Sequence, residues 1–320
     1  MLNIKTALRD GAGTMVEHSG QFLLYSVAWA IVVGSAIFLG GMYGLSFVAI
    51  FLVYLPVQTS LAMIAKNAVD QRDLSNNDFY FGFKMMMPSL VLQSKMVMRG
   101  FLLSFLTFMA TLFLSSLIVG FLIQRLEPSL FQSLMQSTDL LAIYDSLNNL
   151  PWFSLSLLIS IILSLLVAAI TYLLTGCPTN FAPFISFETP FNQDAAVTLS
   201  KRIVHPVKKT FFYFNLIFLL FLIPVAVLGG AMYYLLINFT MWNELLIGFL
   251  TTLLIAFCLA PINLLHQVSS YHFYRQRFQA EIKVIYQDFL KRSQEQQAMA
   301  SQATSEDVKE EPSEKDDELK

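Results

Sequence analysis

"NNDFYFGFKMMMPSLVLQSKMVMRG", from Asn76 to Gly100, carries the apolar load of a membrane-spanning helix together with Lys84, Lys95 and Arg99. Whether it crosses a bilayer or joins two crossings decides the fold. The chain has 56% hydrophobic and 13% charged residues and a mean hydropathy of +0.60. A soluble domain averages about 25% charged residues, so this is the composition of an integral membrane protein. A helix needs about 20 apolar residues to cross the hydrocarbon core. Six charge-free tracts of that kind lie near 21–40, 43–65, 100–124, 151–174, 211–236 and 245–268. The quoted stretch falls between the second and third and reads as a connection that runs into the third. The first tract has no small-residue cleavage site and a second follows at once, so a removable signal peptide is not expected.

The distribution of the 20 Lys and Arg orients the chain, because short cytoplasmic loops retain basic residues. The amino-terminal arm has Lys5 and Arg9. The second connection has Lys66, Arg72, Lys84, Lys95 and Arg99, and the fourth has Lys201, Arg202, Lys208 and Lys209. Eight more follow the sixth tract, and only Arg125 lies in the opposite connections. Both termini are therefore expected in the cytoplasm.

"NQDAAVTLSKRIVHPVKKTFFYF" at 192–214 stands before the fifth tract as the quoted stretch stands before the third. Each opens with Asn-x-Asp, which suits a helix cap, and each passes a proline (Pro88, Pro206) before a span. At 100° per residue, Asp194, Thr198, Lys201, Arg202, His205, Lys208 and Lys209 share an arc of about 120°, opposite Ala196, Leu199, Ile203, Val204 and Val207. Lys84, Lys95 and Arg99 share about 60° in the other copy. The expected fold is all-α and integral to the membrane: six transmembrane helices as three hairpins, each preceded by an amphipathic cytoplasmic arm, starting near Met1, Asn76 and Asn192. Such arms can lie in the headgroup plane with Lys and Arg on anionic lipid, or serve only to enforce topology. Lys84, Lys95, Arg99, Lys201, Arg202, Lys208 and Lys209 are the candidate headgroup contacts. The Met85-Met86-Met87 run is assigned to packing or lipid contact.

The chain resembles the uncharacterised six-span inner-membrane proteins of bacteria and, more distantly, the membrane domains fused to some glycerophosphodiester phosphodiesterases. The resemblance rests on "LPVQTSLAMIAKNAV" closing the second tract, "DFYFGFK" after it, "FAPFISFETPFNQDAAVTLSKRIVHPVKKTFFYFN" from Phe181 to Asn215, and "APINLLHQVSSYHFYRQRF" leaving the sixth. It covers about residues 1–280. It implies a six-helix fold with amphipathic cytoplasmic arms in the inner membrane and roles in membrane homeostasis or assembly. It carries over no catalytic residue.

Residues for catalysis are scarce. His18, His205, His266 and His272 have no partner at metal-ligand spacing. No Gly-rich phosphate loop occurs, and Gly40-Gly41 reads as a turn between spans. Cys177 and Cys258 read as packing residues. No metal, cofactor or nucleic-acid partner is expected, and the chain is expected not to be an enzyme. The first five tracts contain no Asp, Glu, Lys, Arg or His, which argues against ion-coupled transport. Asn215, Asn263 and His266, joined by Asn180, form a candidate polar pocket at the inner ends of the spans, with interhelical hydrogen bonding as the simpler reading. Pro56, Pro224 and Pro261 are expected to kink spans two, five and six.

Tyr271, Tyr274, Phe278, Ile282, Ile285 and Phe289 form one helical stripe, so the last span should continue beyond the membrane. One domain is expected over 1–292, followed by a disordered acidic tail over 293–320. The favoured role is a non-enzymatic inner-membrane protein that organises lipid or protein neighbours. Anionic lipids are the expected partners of its arms, and a protein partner is possible at its carboxyl-terminal region. The alternative is a carrier or flippase for an apolar or amphipathic solute.

Overall fold

The computed structural model describes residues 4–136, 147, 151–239 and 243–307. Among these the regular structure is helical, with no strand, and six helices are long and apolar enough to cross a membrane. The chain divides into two compact units, Met1–His272 and Phe273–Lys320. In the first unit, α1 (Ile4–Glu17) leads into α2 (Ser19–Met42), the first span. The turn after α2 is not at Gly40-Gly41, which stay helical. It centres on Gly44, whose φ of 68° is the left-handed geometry that glycine adopts without strain. The Leu45 N–H returns to the Gly40 carbonyl and the Gly44 N–H to that of Gly41, which closes the helix in a Schellman motif. Gly40 is needed for packing instead, since a Cβ there would stand 2.9 Å from the Ala49 Cβ.

Span two comprises α3 (Ser46–Ala49), a π-helical turn at Ile50–Tyr54, and α4 (Leu55–Val69). Pro56 has no N–H to give the carbonyl one turn earlier. The widened π turn absorbs that mismatch, with the Leu55 N–H reaching the Ile50 carbonyl. The expected distortion at Pro56 is therefore a π turn. Helices α12 (Lys208–Phe239) and α13 (Glu244–Arg277) run on through Pro224 and Pro261.

The continuous helix expected over 76–100 is three pieces: α5 (Asn76–Phe79), α6 (Phe81–Lys84) and α7 (Met86–Leu126), which includes span three. Ser75, one residue earlier than expected, is the cap of α5, and its N–H donates to Asp78 Oδ2 at 2.9 Å. Short α6 is held by span two: the Gly82 N–H donates to Ser60 Oγ at 2.8 Å, and a Cβ at Gly82 would fall on the Pro56 carbonyl. That docking fixes the breaks at Tyr80 and Met85. Pro88 sits in the first turn of α7, where its missing N–H costs no helical bond.

After α8 (Pro128–Gln136), α9 (Pro151–Thr175) forms span four and packs along α7. The less exposed side of each carries small hydroxyls. Thr107, Thr111 and Ser115 on α7, and Ser156, Ser160 and Ser164 on α9, donate to carbonyls three or four residues back at 2.7–2.9 Å. These bonds satisfy the hydroxyls without water, and the small side chains let the backbones approach. At one end a Cβ on Gly100 would come within 2.7 Å of the Gly176 Cα. The other faces expose Phe113, Ile118, Leu158 and Leu165, as suits contact with hydrocarbon.

A 3-10 turn (Cys177–Thr179) and α10 (Ala182–Glu188) lead to α11 (Gln193–Val204), whose cap Asn192 accepts from the Ala195 N–H at 2.8 Å, as its Asn-x-Asp signature predicts. A second 3-10 turn at His205–Val207, around Pro206, separates α11 from α12. Lys208 and Lys209 therefore begin α12 and do not share the helix of Lys201 and Arg202. In the second unit α14 covers Gln279–Asp307. The helical stripe is interrupted at Phe278, where α13 gives way to α14. The boundary expected at 293 falls inside α14, and 308–320 lie outside the described residues.

Candidate functional site

A chamber of about 500 Å³ lies among the spans of the first unit. Every span contributes: Trp29 from the first, Gln58 from the second, Gln93 from the third, Leu173 from the fourth, Asn215 from the fifth and His266 from the sixth. Leu219, Leu222, Leu259 and Ile262 supply an apolar wall. None of the lining residues is Asp, Glu, Lys or Arg. That is the composition of a pocket for a mostly apolar ligand oriented by a few polar groups.

Asn215 is the hub of the polar side and is buried. Its Nδ2 donates to the Phe211 carbonyl at 2.8 Å, which orients the amide and leaves Oδ1 as an acceptor. Asn180 Nδ2 donates to that oxygen at 3.3 Å. His266 Nε2 lies 2.9 Å from the same oxygen and must carry the proton of the bond. The imidazole is edge-on to Phe218, with ring centroids 4.7 Å apart, and lies near Phe214. Across the chamber, Gln93 Nε2 donates to Thr59 Oγ1 at 3.2 Å. Gln58 and Trp29 also line the chamber, and their nitrogens Gln58 Nε2 and Trp29 Nε1 are buried within the packing with no hydrogen-bond partner in the protein.

The sequence pocket is thus assembled: Asn215, Asn263, His266 and Asn180 line one chamber, and three of them are hydrogen-bonded together. Sequence reasoning missed Gln58, Gln93 and Trp29. The signal was there in "VQTS" of span two, where an amide interrupts an apolar run, but an inventory of polar groups that stops at the inner ends of spans four to six passes over it.

A second polar cluster was also missed. The Tyr271 hydroxyl donates to Glu188 Oε1 at 2.8 Å and lies 3.2 Å from both carboxylate oxygens of Asp70. Lys66, itself buried, bridges Asp70 at 3.0 Å. One hydroxyl proton serves two carboxylates, so the network joins α4, α10 and α13 through Tyr271. A separate bond, from Asn67 Nδ2 to Asp78 Oδ1 at 3.1 Å, ties α4 to α5.

The candidate headgroup residues do not form one array. Lys95 Nζ is 2.7 Å from Asp194 Oδ1, joining α7 to α11, so part of its charge is neutralised. An exposed pair of this kind contributes about 0–1 kcal/mol. Lys84 Nζ donates to Asn77 Oδ1 at 3.0 Å. Arg202, Lys208 and Lys209 are exposed, and Lys201 is half-buried. The Arg99 side chain lies outside the described residues. Cys177 and Cys258 are free thiols, and no group of three or more His, Cys, Asp or Glu arranged to hold a metal occurs among the described residues. No family model, curated protein or solved structure matches this chain.

Proposed function

We propose that the chain is a non-enzymatic multi-pass protein of the bacterial inner membrane that takes an apolar or amphipathic solute into its chamber, as a carrier or flippase. The observation that carries this reading is the chamber itself: about 500 Å³ between the spans, apolar on one wall and amide-lined on the other, with no charged residue in its lining. A charged solute would meet no counter-ion there. Acid–base catalysis would have one imidazole and no carboxylate partner within the lining.

In this proposal the six spans form three hairpins, each led by an amphipathic arm, with both termini in the cytoplasm. Nineteen of the 20 basic residues then lie on the cytoplasmic side, which accords with positive-inside orientation.

A second reading has its own observation. Exposed Arg202, Lys208 and Lys209 flank the 3-10 turn at His205–Val207, and they suit anionic headgroups or an acidic protein. There the protein organises neighbours through its arms and carboxyl-terminal region.

Mass spectrometry after extraction into polymer-bounded native lipid discs separates the two. A single enriched small molecule, lost when Leu219→Trp fills the chamber, supports the carrier. A stoichiometric protein partner with no enriched small molecule refutes it in favour of the organiser.

A further inference from the structure

With the chamber read as a solute site, the reading on which this inference rests, the open polar groups on span six narrow the class of solute. Asn263, His266 and Gln267 occupy positions i, i+3 and i+4 of α13, so their side chains are neighbours on one face. All three line the chamber and are half-buried. Asn215 Oδ1 engages His266 Nε2 at 2.9 Å, which leaves Nδ1. Neither Nδ1 nor the amides of Asn263 and Gln267 have a hydrogen-bond partner among the described residues. Unlike the enclosed nitrogens of Gln58 and Trp29, these atoms keep accessible surface.

The tautomer decides what they can bind. Asn215 Nδ2 is committed to the Phe211 carbonyl at 2.8 Å, so Oδ1 faces the imidazole and takes the Nε2 proton. No Asp or Glu in the lining balances an imidazolium, so the neutral ring is the form that fits. Its Nδ1 then carries a lone pair and accepts, while each amide beside it can donate or accept. A hydroxyl answers both from a single oxygen, donating to Nδ1 and accepting from an amide N–H. An ether oxygen accepts only and leaves Nδ1 unpaired, and a neutral amide divides the two roles between separate atoms. An ammonium meets no carboxylate in the lining, and an anion meets no Lys or Arg. We infer that the chamber binds an uncharged amphipathic alcohol whose hydroxyl donates to His266 Nδ1 and accepts from Asn263 or Gln267, with its apolar part against Leu219, Leu222, Leu259 and Ile262. Asn215 is the positioning residue, because its acceptor fixes which imidazole nitrogen faces the solute.

The full-length protein, ¹⁵N-labelled at histidine in lipid nanodiscs, tests this with three probes of one chain length: dodecanol, dodecyl methyl ether and dodecylammonium. The His266 signals are identified by their loss in His266→Phe. Before any probe is added, Nε2 should carry the proton and Nδ1 none. Dodecanol should shift the Nδ1 signal saturably and bind about three- to tenfold more tightly than the ether, the ordinary net effect of one hydrogen bond. Dodecylammonium should bind more weakly than either. His266→Phe and Asn215→Leu should each abolish the preference for alcohol over ether. Joint replacement of Asn263 and Gln267 by Leu should weaken alcohol and ether alike, since both accept from an amide, and should leave the unliganded thermal midpoint unchanged because neither amide is bonded within the protein.

A proton on Nδ1 in the wild-type protein overturns the inference whether or not any variant folds. Equal affinity for dodecanol and its ether, in a protein whose binding Leu219→Trp removes, overturns it while leaving the chamber as a solute site. Absence of saturable binding by all three probes, with Leu219→Trp leaving the native small-molecule profile unchanged, removes the solute reading as well.

Discussion

Replacing Asn215 by Leu tests the hub of the chamber with little change of side-chain volume. Asn215 Oδ1 is the acceptor for His266 Nε2 at 2.9 Å and for Asn180 Nδ2 at 3.3 Å, in a residue only 4% exposed. The third bond, to the Phe211 carbonyl, costs little to lose because that carbonyl keeps its partner in α12. Removing Oδ1 orphans the His266 N–H, at about 1–3 kcal/mol for a buried donor. Half-buried Asn180 adds a smaller amount. Interhelical hydrogen bonds in membranes average about 0.6 kcal/mol and reach about 1.7, so the expected total is about 2 kcal/mol. At about 2–4 °C per kcal/mol for a chain approaching this size, the midpoint should fall by about 4–8 °C. The cleaner measurement is a double-mutant cycle with His266→Phe, which keeps a ring beside Phe214 and Phe218. SDS titration of refoldable protein should give a combined cost about 1–1.7 kcal/mol below the sum of the singles, since the double variant no longer strands the imidazole N–H. Additivity within about 0.5 kcal/mol would show that Asn215 and His266 do not share a bond.

Gly82→Ala should destabilise by about 1–3 kcal/mol, because the new Cβ meets the Pro56 carbonyl and backbone cannot yield. Gly13→Ala in α1, where a Cβ meets nothing within 4 Å, should stabilise by up to about 1 kcal/mol through helix propensity. Equal midpoints for the two variants would show that α6 does not dock on span two. Reporter fusions after Asp70, Gln136, Lys209 and Arg292 should read inside, outside, inside and inside. An outside signal at Lys209 would overturn the six-crossing orientation. Substituting Lys201, Lys208 and Lys209 together by Gln in the intact protein should reduce its preference for spin-labelled anionic over zwitterionic lipid by up to about a hundredfold at low salt, at about 1 kcal/mol per charge. The effect should shrink at physiological ionic strength, where the Debye length is about 8 Å. An unchanged preference at low salt would leave these residues as topology signals alone.

The six spans were legible in the sequence because a span is a local property: about 20 residues must each tolerate hydrocarbon, whatever packs beside them. The Asn192 cap was legible for the same reason, since its acceptor serves an N–H three residues away. Asn215, Asn263 and His266 were recognisable as polar residues in apolar surroundings, and helical spacing placed them near one end of the bundle. What they would touch was not recoverable from periodicity. The breaks at Tyr80 and Met85 depend on Gly82 lying against Pro56 and Ser60, 22 residues from Ser60, so a helical wheel drawn through 76–100 joins residues that do not share a helix. Lys95 looked like a lipid-facing cation until Asp194, 99 residues later, came within 2.7 Å. Tyr271 looked like a member of an apolar stripe, yet its hydroxyl gathers carboxylates from two other elements. Gln58 and Trp29 are ordinary residues in a span. Only the packing of the helices brings both to one chamber and leaves their N–H groups buried without an acceptor in the protein, because hydrogen-bond satisfaction is a property of everything that surrounds a group and not of the segment that carries it.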